Sequence, residues 1–84
     1  MSDDLPPLSE AARTLRVGIY RHYKGGLYRV LCVGRSSEER EKEFVVYQSI
    51  EKNHIWIRPL PMFLEEVEVG EYHGPRFAWV GEDI

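Results

Sequence analysis

The sequence predicts a mainly β protein, a small barrel of about five antiparallel strands preceded by a short N-terminal helix. One feature supports the β class, and two others support a single globular domain. From residue 17 onward, short runs rich in β-branched and aromatic residues alternate with turn signals, a pattern typical of small all-β units. The 84 residues have room for one core. The 43% hydrophobic and 12% aromatic content exceeds that of disordered chains.

The N-terminal part, residues 1–16, is predicted to be a flexible arm followed by a short helix. Met1–Pro7 is polar and acidic and ends in two prolines, so we expect it to be extended or disordered. Ser9 can cap a helix, Glu10 suits its N-terminal dipole, and apolar residues recur at nearly helical spacing, namely Leu8, Ala11, Ala12 and Leu15. A helix ending near Arg16 is marginal alone, so it must dock on this domain or on another chain.

Residues 17–84 are predicted to form the single β domain, which begins with a hairpin. Ile19–Lys24 is the first predicted strand and Leu27–Gly34 is its antiparallel partner. Gly25 and Gly26 lie between them and favour a two-residue type I′ turn, because both positions of that turn need a positive φ. The polar run 35–42 is then expected to be a solvated loop.

A second hairpin is predicted after this loop. Phe44–Ile50 forms the third strand, and His54–Arg58 forms the fourth. The turn between them, Glu51–Asn53, ends in an asparagine that tolerates the left-handed region. Pro59 and Pro61 should end the strand ladder, because proline has no N–H to donate.

The C-terminal part is predicted to complete the barrel. Met62–Leu64 suggests a short helical turn that plugs one end, and Val67–Val69 suggests an edge strand. Gly70 and His73–Pro75 mark turns before the last strand, Phe77–Val80. Five short strands with a helical plug fit an SH3-like barrel. The alternative is an open antiparallel sheet with the N-terminal helix packed on one face.

The charges are unevenly distributed along the chain. The net charge is −3, which argues against strong nonspecific binding to nucleic acid. Residues 13–35 nevertheless contain six cations and no acid, namely Arg13, Arg16, Arg21, Lys24, Arg29 and Arg35. This segment could form a local positive patch. Alternatively, the cations are scattered and solvated, because strand alternation divides them between two faces.

Several classes of protein are not supported by the sequence. Cys32 is the single cysteine, so no internal disulfide is possible, and mid-strand it should be a small buried hydrophobe rather than a nucleophile. We expect a cytoplasmic protein, since no secretory signal or apolar run of about 20 residues appears. His22, His54 and His73 have no recognised metal-ligand spacing, so neither a metal nor another cofactor is predicted.

An ordered series of motifs resembles a known family. The motifs are Tyr20–Gly25, Tyr28–Leu31, Val45–Tyr47 and the long segment Trp56–Glu65. Together they resemble DUF1653, a small bacterial domain of unknown function, from residue 18 to about residue 80. The resemblance implies a stand-alone, SH3-like or similar small β domain. It implies no activity, and it does not extend to the N-terminal arm and helix.

Basic and aromatic residues of the first hairpin and of strands 3 and 4 form the candidate site. They are Arg21, His22, Lys24, Tyr47, Trp56 and Arg58. Cationic side chains bind phosphate or carboxylate, aromatic faces can stack on a base, and histidine can donate or accept a proton near neutral pH. The alternative is structural: the aromatics fill the core, and Arg58 caps carbonyls or pairs with a glutamate.

Three functions remain open from the sequence. The preferred one is a binding module that recognises a protein or nucleic-acid partner through a basic and aromatic surface. The second is a ligand-sensing or small enzymatic domain that uses His22 and Arg58 on a small anionic ligand, either a phosphorylated metabolite or a nucleotide. The third is a structural homodimer formed through an open strand edge or the face of Trp79. No catalytic residue is predicted, and no membrane partner is expected.

Overall fold

The computed structural model describes residues 5–83 and confirms a mainly β fold. Its elements are α1 Glu10–Thr14, β1 Gly18–His22, β2 Leu27–Arg35, β3 Glu43–Ser49, β4 Ile55–Pro59, α2 Leu60–Phe63, β5 Glu66–Val69, β6 Tyr72–Pro75 and β7 Phe77–Gly81. Residues 1–4 of the predicted arm lie outside the described residues. Neither helix in the described range has the length and apolar character needed to cross a bilayer.

Five of the seven strands form one antiparallel sheet in the order β4-β3-β2-β1-β7. Within residues 5–83 this sheet is open, with β4 and β7 as its edges, so the expected closure into a barrel is not observed. The sheet curls so strongly that side chains of its two edge strands meet. The Arg58 guanidinium carbon of β4 lies 5.6 Å from the Phe77 ring centroid of β7. Phe63 of α2 stacks on Phe77 at 4.3 Å inside the curl, as the plug prediction expects.

The short helix α1 docks on its own chain. Ala12 is buried in the core cluster, and Leu8 and Leu15 pack against that cluster. Ser9 caps the helix by accepting a hydrogen bond from the Ala12 N–H at 3.1 Å. The Ser9 backbone N–H and hydroxyl also donate to the two Glu43 carboxylate oxygens, at 2.8 and 2.6 Å. The cap therefore attaches the helix to β3.

The first hairpin has a longer connection than the sequence predicts. Strand β1 ends at His22, so the two-residue turn is replaced by the four residues Tyr23–Gly26. The Gly25 N–H donates to the His22 carbonyl at 2.8 Å, which closes a turn over Tyr23 and Lys24. Gly25 and Gly26 do adopt positive φ values, of 101° and 91°, and bring the chain back into register.

The second hairpin agrees closely with its prediction. Asn53 has a φ of 59° and is the one residue other than glycine with positive φ in the described range. Its N–H donates to the Ser49 carbonyl at 2.8 Å, and the Ser49 N–H donates to the His54 carbonyl at the same distance. Pro59 is the last residue of β4, so the ladder ends where the sequence predicts.

Two expectations about strand residues are wrong. His73–Pro75 is not a turn but part of β6, which pairs with β5 in a separate two-stranded sheet. A two-stranded sheet leaves each strand one open side, where proline is tolerated. Cys32 is exposed rather than buried, because a register shift between Val30 and Cys32 breaks the alternation of β2.

Candidate functional site

The concave face of the five-stranded sheet contains a cavity of about 160 Å³. It is lined by His22, Tyr28, Tyr47, Trp56, Arg58 and Phe77. Four of the six residues predicted for the candidate site thus meet in one place. No acidic side chain is among the described residues that line it.

Arg58 supplies the permanent positive charge of the cavity. Its Nε–H donates to the Tyr47 hydroxyl at 3.2 Å, and Tyr47 is only 3% exposed. Tyr47 is therefore a core aromatic whose polar tip positions the arginine. None of the ion pairs between described residues includes Arg58. Since no carboxylate within residues 5–83 pairs with it, the guanidinium can attract an anion into the cavity.

His22 lies beside this charge as a neutral donor. Its Nδ1 accepts a hydrogen bond from the Lys24 backbone N–H at 3.1 Å, which places the ring proton on Nε2. Burial lowers the pKa of His22, and the positive charges of Arg58, Arg76 and Lys24 lower this pKa further. The imidazole is therefore uncharged at neutral pH and offers its Nε2–H.

Aromatic rings form the floor and the rim of the cavity. Phe77 and Tyr28 lie 5.7 Å apart in edge-to-face contact, and Tyr28 makes a similar contact with Tyr47 at 5.6 Å. Trp56 stands at the rim and is 50% exposed. A half-exposed indole beside a guanidinium that has no ion-pair partner in the described range can stack on a planar ligand group whose charged part faces the arginine.

The sequence did not assign Tyr28 or Phe77 to the site. Alternation along paired strands is a signal for Tyr28, because Val30 lies opposite Tyr47 and Tyr28 lies two residues earlier on the same strand. Phe77 lies opposite His22 in the pairing of β1 with β7. That pairing joins strands far apart in the chain, and no local pattern reveals it.

Two predicted residues lie away from the cavity. Arg21 is exposed and, by strand alternation, projects to the opposite face of β1 from the buried Tyr20. Lys24 belongs to the connection after β1, with its Nζ 5.8 Å from the Tyr23 ring centroid. Neither lines the cavity, although Lys24 contributes its backbone N–H and its charge to the surroundings of His22.

The cations of residues 13–35 do not form one patch. The Arg16 guanidinium carbon lies 3.4 Å from the centroid of the Trp79 ring and covers it. Arg29 pairs with Asp83 at 3.1 Å, and Arg35 donates to a backbone carbonyl at 3.0 Å. The scattered arrangement therefore describes these cations better, and the Trp79 face suggested for a dimer is occupied by an arginine.

A second, larger cavity of about 740 Å³ lies between α1 and the start of α2. Its wall is mostly apolar, with Phe44, Leu60 and Leu64 among the lining residues. It contains no histidine or arginine among the described lining residues. Within residues 5–83, no group of three side chains could hold a metal ion. The small cavity on the concave face is therefore the candidate site.

Comparison with known proteins gives a family but no activity. The model of a family described as "Protein of unknown function (DUF1653)" matches residues 18–79. A crystal structure of a DUF1653 protein from Bordetella bronchiseptica is 35% identical and superposes with a TM-score of 0.76. The match covers 84% of this chain and 94% of that one. No curated protein matches the chain.

Proposed function

We propose that this chain, which belongs to the DUF1653 family, is a binding module that holds one nucleotide unit of a single-stranded nucleic acid in its concave-face cavity. The observation that supports this most is the meeting of Arg58, His22 and Trp56 in one cavity without an acidic lining residue in the described range. These side chains match a phosphate, a base edge and a base face, respectively.

The size of the cavity favours part of a long ligand over a whole small molecule. Sites for drug-sized ligands have volumes of about 300–1,000 Å³. At about 160 Å³ and with an open rim, this cavity admits one planar ring system while the rest of the ligand stays outside. A single-stranded nucleic acid that inserts one base and continues across the protein surface fits this geometry.

The positive charge of the cavity favours an anionic ligand. Arg58 is permanently cationic and not ion-paired with any described residue, so a lysine or methylated amine would be repelled. The net charge of the whole protein is −3, so long-range attraction to a polyanion is weak. Recognition should therefore depend on few contacts, with a shallow salt dependence rather than the steep one of a basic protein.

Fluorescence anisotropy with labelled single-stranded DNA and RNA oligomers tests the proposal. Trp56→Ala should weaken binding by about 5- to 150-fold, the range expected for one stacked base. Arg58→Gln should also weaken it and reduce the salt slope by about 0.7, as expected for one lost phosphate contact. Arg21→Gln is the matched control, because it removes an equal charge from the opposite face. Equal effects of Arg21→Gln and Arg58→Gln, or no binding by wild type, would overturn the proposal.

A second candidate is a sensor of free nucleotides or other phosphorylated metabolites. The neutral His22 beside Arg58 favours it, because this pair can bind a phosphate without a polymer. Thermal-shift measurements with mononucleotides and sugar phosphates distinguish the two. A ligand present at 100 times its dissociation constant would add about 2.7 kcal/mol of stability. Such a shift from a mononucleotide, with no added affinity for oligomers, would favour the sensor.

A further inference from the structure

The outer edge of β4 is unusually apolar for a free strand. Ile55, Trp56 and Ile57 follow one another and are 55%, 50% and 66% exposed. Sheet edges that stay unpaired are normally protected by charges, prolines or bulges, since they attract other strands. On the opposite edge, β7, only Val80 falls in the exposed class. The β4 edge therefore has the character of an interface.

The backbone of β4 has hydrogen-bonding groups directed outward. The Ser49 N–H donates to the His54 carbonyl, and these two residues lie one step beyond the Gln48–Ile55 pair, so they mark a hydrogen-bonded position of the β3–β4 register. Because such pairs alternate along an antiparallel ladder, the backbone groups of Trp56 and Arg58 face β3. Those of Ile55 and Ile57 then face the open edge, and Pro59 presents only a carbonyl there.

The side chains of β4 complement those of a second, antiparallel copy. With a two-fold axis at Ile57, Ile57 lies opposite itself and Trp56 lies opposite Arg58 of the partner subunit. Both of those side chains belong to the concave face, where each lines the cavity. Directly opposite side chains have Cβ atoms about 4.5–5.5 Å apart, which permits a cation–π contact on both sides of the axis. The alternative axis at Trp56 would place indole against indole and leave each arginine opposite a histidine.

We propose that two copies of this chain pair through their β4 strands, antiparallel about Ile57, to form one continuous sheet. Closed two-fold pairing is the commonest symmetry of soluble oligomers, and it removes the exposed edge from both copies. It also brings the partner's Trp56 to the rim of the cavity. A ligand contact by that indole rests on the proposed function, whereas the pairing itself does not.

Sedimentation equilibrium without any nucleic acid tests the pairing. Wild type should show a mass of twice the 9.9 kDa chain at high micromolar concentration. Ile57→Lys should give a monomer, because two lysines would meet at the axis, and Ile55→Lys should weaken the dimer. Val80→Lys on the β7 edge is the matched control and should stay dimeric. A monomeric wild type, or a dimer lost only in Val80→Lys, would overturn the proposal.

Amide hydrogen exchange tests the same pairing without a substitution. Protection of the Ile55 and Ile57 amides should rise with protein concentration, because only the dimer gives them acceptors. The Trp56 and Arg58 amides should be protected equally at all concentrations, since they bond to β3. Ile55 and Ile57 amides that exchange at the same rate at all concentrations would overturn the proposal. This outcome leaves the nucleotide proposal intact, as each cavity is complete within one copy.

Discussion

The Arg58 side chain depends on Tyr47 for its direction. The Tyr47 hydroxyl accepts from the arginine Nε, while its ring packs on Phe63 at 5.5 Å and on Phe77 at 5.3 Å. A buried, tightly packed tyrosine offers its oxygen in one position, so the arginine loses less conformational entropy when it binds an anion. Tyr47 thus acts in the core and in the cavity at once.

Tyr47→Phe should separate these two roles. The ring remains, so the free energy of unfolding should fall by only about 1 kcal/mol, the value of one hydrogen bond. Oligonucleotide affinity should also fall, because Arg58 is no longer positioned. Tyr72→Phe is the control, because the Tyr72 hydroxyl donates to the Pro75 carbonyl at 2.8 Å and Tyr72 does not line the cavity. Urea denaturation and anisotropy measure the two effects, and unchanged affinity in Tyr47→Phe would contradict the positioning role.

Protonation of His22 should destabilise the fold. Its pKa is lower in the folded state than the unfolded value of about 6.5, so the unfolded chain binds this proton more readily. The His22 contribution is therefore complete above about pH 6.5 and is lost as the pH falls toward the folded pKa. Urea denaturation of wild type and His22→Gln across this window measures it. We expect a steeper loss in wild type, and parallel curves would refute this account of His22.

At the level of secondary structure, the short helix depends on contacts outside itself. Five residues are too few for a helix to be stable alone. The Ser9 cap and its bonds to Glu43 supply that support, and these bonds lower the pKa of the Glu43 carboxyl. The carboxylate form thus stabilises the fold above the unfolded pKa, and this stabilisation is lost as the pH falls through the folded pKa.

Substitutions at Ser9 and Glu43 should reveal one coupled contact. Ser9→Ala should cost about 1 kcal/mol, as for other helix caps. Glu43→Gln should also destabilise, and the double variant should cost less than the two single costs together. Glu41→Gln in the exposed loop is the control and should change stability by less than about 0.5 kcal/mol. Fully additive effects of Ser9→Ala and Glu43→Gln would contradict the coupling.

The pairing of β1 with β7 requires glycine at residue 18. Gly18 has a φ of 124°, and a Cβ there would lie 2.5 Å from the Gly81 carbonyl oxygen. Gly25 has a similar φ of 101°, but a Cβ there would have no other atom within 4 Å. Gly25→Ala should therefore cost about 1 kcal/mol from backbone strain alone. Gly18→Ala should cost clearly more in thermal denaturation, and equal costs would contradict the close β1–β7 contact.

Across the whole molecule, the features that the sequence predicts correctly are those that depend on residues close together in the chain. Alternation and turn residues were sufficient for β2, for the hairpin at Asn53 and for the helix capped by Ser9. They also placed Tyr47, Trp56 and Arg58 together, since these residues lie on neighbouring strands of one hairpin. The exposure of Cys32 depends on a bulge, and the position of Phe77 depends on a long-range pairing. Neither leaves a periodic signal.

A heteronuclear NMR titration with a single-stranded oligonucleotide tests the central claim most directly. The chain has two tryptophans, and only one of them lines the cavity. Trp56 stands at the cavity rim, whereas the Trp79 Nε1–H donates to the Val17 carbonyl and the Trp79 ring is covered by Arg16. We predict that the Trp56 indole and Arg58 Nε signals shift together while the Trp79 indole stays fixed. Shifts at Trp79 or Arg21 with Trp56 unchanged, or no shifts at any of these residues, would contradict the claim that the concave-face cavity binds nucleic acid.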